Sequence, residues 1–134
     1  MTLHIVRLGT PRLAHEGTRI GTVRRPPRGV PKSRFASDDW YDVWFPLLSP
    51  SAELVKLALA AQQDDSAEGR RQWAGFVRDF RKEMRAPEAA HALDLLAALS
   101  HHGDFSVGCY CEDEARCHRS VLRELFVERG ARIA

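Results

Sequence analysis

Long hydrophobic runs, a signal-peptide pattern in the opening residues and cysteines outside one short segment are all missing from this sequence of 134 residues. No apolar stretch approaches the roughly 18 residues of a membrane-spanning helix. The opening MTLHIVRLGT has neither the basic nor the apolar part of a signal peptide. These absences exclude a membrane protein and predict a cytoplasmic location. Three cysteines in one cluster do not make a disulfide framework, so we expect them to stay reduced.

Acidic residues are missing from one segment of the chain. The net charge is only +2, which argues against a protein that coats nucleic acid through its overall charge. Residues 24–34, RRPPRGVPKSR, nevertheless carry five cations and no acid. We call this segment the basic loop, because its prolines exclude a continuing helix or a central strand. Arginine suits phosphate or carboxylate, and a rigid loop loses little entropy on binding, so an anionic partner is predicted; a merely solvated surface is the alternative.

The length is that of a single domain spanning residues 1–134. Hydrophobic periodicity and turn residues divide the chain into strands and helices. We predict strands at 3–9, 18–23 and 104–111, helices beginning near Pro50 and Pro87 and spanning 69–85 and 113–129, and a final strand at ARIA. This order predicts an α/β fold, a single three-layer-like domain with a small, largely parallel sheet flanked by helices.

Aromatic side chains are concentrated in residues 38–51, where Trp40, Tyr41, Trp44 and Phe45 occur within six positions. Large aromatic residues are usually buried, so this segment is expected to seal one side of the core. The alternative is a platform beside the basic loop on which nucleic-acid bases stack.

All three cysteines lie in GCYCEDEARCHRS, residues 108–120. The segment follows the predicted strand at 104–111 and opens a helix, which is where α/β sheets bind ligands. Position therefore makes Cys111, Cys117, His118 and Arg119 functional candidates. Cys109 fits a buried position, since free cysteine behaves as a small apolar residue.

The cysteine segment is compatible with several kinds of chemistry. Three sulfurs and an imidazole suit zinc, but on a helix beginning at Asp113 the side chains of Cys117 and His118 would point about 100° apart. The sequence therefore favours no metal and no cofactor, and it leaves open whether the cysteines bind a metal. The alternative is a thiol-dependent enzyme with Cys117 as nucleophile and His118 as its base or cation partner. Neighbouring acids oppose that activation, so whether the protein is an enzyme stays open.

The motifs described so far resemble those of a known family. CYCEDEARCHRSVL (109–122) resembles the C-terminal signature of the bacterial domain-of-unknown-function 488 (DUF488) family, in which Cys-His-Arg opens a helix. Three further segments are similar to its YeaO-like branch: VRRPPRG at 23–29, DVWFPLLSPSAEL at 42–54 and WAGFVRDFRKEM at 73–84. Val23 and Pro26 stand where that branch has Asp and Trp. The resemblance implies an α/β fold and supplies no reaction.

The leading hypothesis is a protein that binds an anion, either a phosphate-bearing metabolite or a nucleic acid. Arg24, Arg28 and Arg119 would bind the charge, and Cys111 would line the site with Cys117 and His118. A structural or partner-binding module is a further alternative. The sequence leaves open the ligand, the oligomeric state and whether the basic loop closes over the cysteines.

Overall fold

Four parallel strands form a single sheet in this computed structural model, which describes residues 1–134. The strands are β1 (Leu3–Arg7), β2 (Thr18–Gly21), β3 (Val43–Trp44) and β4 (Phe105–Cys109), in the order β1-β4-β2-β3. All three pairings are parallel, and Ile133 adds a parallel bridge to Leu3. The predicted α/β class with a parallel sheet is confirmed.

The helices are α1 (Ala52–Gln62), α2 (Ala67–Glu83), α3 (Pro87–Leu99) and α4 (His118–Glu128). The first begins after Ser51, whose Oγ accepts a hydrogen bond from the backbone N–H of Leu54. The third begins at Pro87, whose missing N–H needs no partner in the first turn. None of the helices combines the length and the apolar character needed to cross a lipid bilayer.

The prediction of one continuous helix over 113–129 is wrong at its beginning. Glu114–Arg116 form a separate 3-10 turn, and Cys117 is extended, with φ −120° and ψ 149°. The turn is favoured by Asp113, whose carboxylate accepts a hydrogen bond from the N–H of Ala115. Cys117 therefore lies at the N-cap of α4, and helical spacing does not set the direction of its side chain.

Helices cover one face of the sheet and loops cover the other. Ile5, Ile20 and Val107 face the main core, to which all four helices contribute. On the opposite face the Ser106 hydroxyl donates a hydrogen bond to the carbonyl of Glu16 at 2.8 Å. Helices, sheet and loops together give the three-layer arrangement.

A buried ion pair joins the loop layer to the sheet. Arg19 of β2 and Glu16 are each 1% exposed, and the Arg19 Nη2 to Glu16 Oε1 distance is 3.0 Å. The same guanidinium donates to the carbonyls of Thr10 and Asp39, at 2.8 and 2.7 Å. One side chain thus holds two loops against β2.

Gly21 of β2 has no room for a side chain. An added Cβ would lie 2.4 Å from Cδ2 of Tyr41, which is itself buried. We expect Gly21→Ala to lower the free energy of unfolding, measured by urea denaturation, by about 1–3 kcal/mol because of overpacking. Gly103→Ala is the control, since its Cβ would meet nothing within 4 Å. Equal losses in the two variants would contradict this explanation.

The aromatic segment 38–51 is divided between the core and the surface. Tyr41 is buried and Phe45 packs against the main core, as the core interpretation predicts. Trp44 is 45% exposed, and its indole N–H donates to the carbonyl of Val23 at 2.8 Å. Trp40 lies beside Tyr110 in an edge-to-face contact, with 5.7 Å between ring centroids.

Candidate functional site

A cleft of about 1040 Å³ opens at the edge of the sheet where the parallel strands end. Its walls come from residues 7–10 at the end of β1, residues 23–28 after β2, one side of α1, and residues 109–111 at the end of β4. Open α/β sheets bind ligands at this edge. The basic loop and the cysteine segment therefore share one cleft, a relation that the sequence left open.

The cleft is lined by cations and by no acidic side chain. Its charged residues are Arg7, Arg24, Arg25, Arg28 and Lys56. Arg24 donates to the carbonyls of Pro50 and Ser49, at 3.0 and 3.1 Å, which fastens the basic loop beside the start of α1. The side chains of Arg25, Arg28 and Lys56 are exposed and have no hydrogen-bond or ion-pair partner. Clustered unpaired cations give the cleft a positive potential.

The acids that follow Cys111 in the sequence are outside the cleft. Glu114 accepts hydrogen bonds from Arg123, at 2.6 and 2.9 Å, and Asp113 caps the 3-10 turn. Glu112 is exposed and does not line the cleft. The sequence suggested that these acids would repel an anionic ligand. Because they lie outside the cleft, they do not line the surface where such a ligand would bind.

The three thiols and His118 converge on the floor of the cleft. The Cys109 and Cys111 Sγ atoms are 3.8 Å apart, and the Cys117 Sγ lies 3.9 Å from His118 Nδ1. Ligand atoms of Cys109, Cys117 and His118 all lie within 4.8 Å of one another. The extended conformation of Cys117 is what directs its sulfur toward the end of β4.

The basic loop and the Cys-His-Arg segment, which meet at this cleft, are two of the four segments that carry the family resemblance. Residues 3–130 match the family model DUF488-N3a, described as the active DUF488-N3 subclade. The chain belongs to the DUF488 family. No curated protein and no solved structure matches it. The match leaves the assignment of this DUF488 protein to the YeaO-like branch a prediction.

The Arg119 side chain of this DUF488 protein points inward. It is 4% exposed, its Nε donates to Cys117 Sγ at 3.4 Å, and its Nη2 donates to the Cys111 carbonyl at 2.6 Å. It has no carboxylate partner, and a buried cation is costly without a nearby negative charge. Of the groups that contact Arg119, the Cys117 sulfur is the one that, as a thiolate, can balance the positive charge of the guanidinium.

The three thiols are electrostatically unequal. Hydrogen bonding from Cys109, and next from Cys111, holds the pKa of Cys117 well below its ordinary value. The same contacts, first with Cys111 and then with Cys117, raise the pKa of the Cys109 thiol. When one of the three is a thiolate, the negative charge is therefore favoured on Cys117, next to Arg119.

The structure brings most of the predicted site residues of this DUF488 protein together. Five of them line the cleft: Arg24, Arg28, Cys111, Cys117 and His118. Arg119 lies behind the cysteines and not on the cleft surface. Sequence reasoning missed Arg7 and Lys56. The position of Arg7 at the end of β1 is a signal that could have found it, whereas no local pattern marks Lys56 on α1.

Proposed function

We propose that this cleft binds a phosphate-bearing ligand. The observation that carries the proposal is the lining itself, with five cations, no acid and three cations that have no partner within the protein. Guanidinium groups form charge-assisted, bidentate hydrogen bonds with phosphate oxygens. Arg25, Arg28 and Lys56 make these contacts directly.

The remaining arginines shape the cleft. Arg24 holds the basic loop through the carbonyls of Ser49 and Pro50, and Arg119 holds the Cys111 carbonyl on the floor. In this proposal Arg24 also presents its charge to the ligand, while Arg119 acts through the cysteine segment. Cys111, the half-exposed thiol, contacts the ligand from below.

The size and the aromatic wall favour a ligand larger than inorganic phosphate. Small-molecule pockets have volumes of about 300–1,000 Å³, so a cleft of about 1040 Å³ has room for a nucleotide or for the end of a nucleic-acid strand. The Trp40 and Tyr110 side chains both line it. The Tyr110 hydroxyl donates to the Arg25 carbonyl at 2.8 Å, which fixes that part of the basic loop.

Calorimetric titration with inorganic pyrophosphate, ADP and a short single-stranded oligonucleotide tests this function. We expect the wild-type protein to bind ADP or the oligonucleotide, and Arg28→Ala to weaken that binding by about tenfold to a hundredfold, because a charge-assisted hydrogen bond is lost. Arg85→Ala removes an exposed arginine outside the cleft and is the control. Absence of binding by all three probes, or equal effects of the two substitutions, would contradict the proposal.

A thiol-dependent enzyme with Cys117 as nucleophile is a second candidate, favoured by the 3.4 Å contact between Arg119 Nε and Cys117 Sγ and by the word "active" in the family description. A nucleophile must also be reachable, and Cys117 is only 1% exposed, whereas Cys111 is half-buried. We therefore expect iodoacetamide to modify Cys111 before Cys117, as measured by peptide mass spectrometry. The protein is first treated with a chelator, so that no bound metal ion protects the thiols. Modification of Cys117 first would favour the enzyme over a binding protein.

A further inference from the structure

Three side chains of the cysteine cluster, Cys109, Cys117 and His118, lie close enough together to hold one metal ion. Zinc binds sulfur at about 2.3 Å and nitrogen at about 2.0–2.1 Å. Tetrahedral angles then separate two sulfur ligands by about 3.8 Å, and a sulfur from a nitrogen by about 3.6 Å. The observed separations are 3.8 Å for Cys109 and Cys111 and 3.9 Å for Cys117 and His118 Nδ1. The atoms of Cys109, Cys117 and His118 lie within 4.8 Å of one another, so ligation requires side-chain rotations that shorten the longer separations. Cys111 must also turn inward, away from the Gln62 amide that contacts its sulfur at 3.3 Å.

His118 is oriented as a metal ligand. Its Nε2 lies 2.6 Å from the Thr22 carbonyl oxygen. Because a carbonyl can accept a hydrogen bond but cannot donate one, Nε2 carries the hydrogen. In the neutral ring Nδ1 therefore presents its lone pair to the thiols. Ligating histidines commonly donate their other N–H to a backbone carbonyl in this way. The Phe80 ring, edge-to-face at 5.7 Å between centroids, holds the imidazole plane.

The surroundings of the cluster balance the charge of a thiolate-bound ion. Three thiolates and one divalent cation carry a net charge of −1, and the buried guanidinium of Arg119 lies 3.4 Å from the Cys117 sulfur. Arg119 has no carboxylate partner, and such a centre would supply the negative charge that pairs with it. This is an observation independent of the spacing of the ligands.

We propose that Cys109, Cys117 and His118, with Cys111 as the fourth ligand on the cleft side, bind one Zn²⁺ ion. Three sulfurs and one imidazole nitrogen form a closed tetrahedral set, which is the structural type of zinc site. The sequence argued against a metal because Cys117 and His118 would diverge on a helix. That objection does not apply, since Cys117 is extended and precedes α4.

The ion joins three segments that are far apart in the chain. It fixes the end of β4 to the start of α4, and through the contact of His118 with Thr22 it reaches the residue that follows β2. Its role is to stabilise the floor of the cleft. The proposal does not depend on the identity or the existence of the anionic ligand.

Metal content and cobalt spectroscopy test the site. The wild-type protein is stripped with a chelator under reducing conditions and titrated with Zn²⁺ or Co²⁺. We expect one equivalent of either ion, measured by native mass spectrometry, and cobalt spectra with thiolate charge-transfer and tetrahedral d–d bands. Cys117→Ser and His118→Gln should lower the affinity at least a hundredfold, whereas the exposed His91→Gln, on α3, should bind like wild type. The Cys111→Ser variant should show a weaker charge-transfer band, because one thiolate ligand is missing.

Two outcomes would overturn the proposal. One is a stripped wild-type protein that keeps its circular dichroism and binds no Zn²⁺ or Co²⁺. The other is stoichiometric binding that is unchanged in both Cys117→Ser and His118→Gln. Because a variant can fail to fold, the wild-type spectrum decides first, and the thermal midpoint of the stripped protein should rise when Zn²⁺ is returned. Neither readout uses the anion probes, so failure of the metal site is distinguishable from failure of anion binding.

Discussion

Replacement of Arg19 by methionine is expected to lower the free energy of unfolding by about 3–5 kcal/mol, the cost of removing one partner of a buried ion pair. Glu16 would be left 1% exposed without its cation, and the carbonyls of Thr10 and Asp39 would lose their donor. A small domain has a total stability of about 5–15 kcal/mol, so a large part of it would be lost. Urea denaturation followed by circular dichroism measures the change.

The Arg71–Glu68 pair provides a matched control. It has the same i,i+3 spacing as the Arg19–Glu16 pair, but its side chains are 72% and 57% exposed. Exposed pairs contribute about 0–1 kcal/mol, so Arg71→Met should change stability little. The double variant Arg19→Met with Glu16→Gln should recover part of the loss, since no charge stays buried and unpaired. Similar effects for Arg19→Met and Arg71→Met would contradict a role for burial.

Charge reversal in the cleft is expected to have the largest effect on binding. Arg28→Glu with Lys56→Glu removes two unpaired cations, one from the basic loop and one from α1, and places two carboxylates beside the ligand. We expect the affinity for ADP or the oligonucleotide, whichever the wild type binds, to fall by more than about a hundredfold, because two charged hydrogen bonds are replaced by repulsion. Calorimetry at fixed ionic strength measures it, since salt screens such contacts.

The pair Lys82→Glu with Arg85→Glu is the control for net charge. Both residues are exposed, lie outside the cleft and have no side-chain partner. Either double variant takes the formal net charge from +2 to −2, since each replaces two cations by two acids. Binding should therefore persist in the Lys82/Arg85 variant. Equal losses in the two double variants would mean that overall charge, not the cleft, attracts the anion.

The helices and three of the four strands could be predicted from the sequence because their patterns are local, whereas β3 has only two residues and was not predicted. The alternation of Phe105, Val107 and Cys109 marks β4, and Ser51 and Pro87 mark the beginnings of helices. Because the strands are parallel, the ends of β2 and β4 meet at one edge. The basic loop and the cysteine segment line one cleft at that edge, although the sequence left their relation open.

The remaining features depend on contacts between distant residues. Residues 113–129 have the composition of a helix, and only the turn capped by Asp113 interrupts it before Cys117. Lys56 reaches the cleft because α1 packs where Arg24 meets the carbonyls of Ser49 and Pro50. An arginine such as Arg19 is normally expected at the surface, and it is buried here because the loops that contain Thr10 and Asp39 cover it. Contacts of this kind leave no periodic pattern in the local sequence, so they could not be predicted from it.

The most direct test of anion binding in the cleft is an NMR titration of ¹⁵N-labelled protein with ADP or the oligonucleotide, whichever the wild type binds, followed through backbone amide shifts. We predict saturable shifts at Arg25, Arg28, Lys56 and Tyr110, which come from three walls of one cleft. Distant amides such as those of Asp94 and Glu124 should stay fixed. Shifts confined to residues outside the cleft, with these four unmoved while the ligand binds, would contradict binding in the cleft.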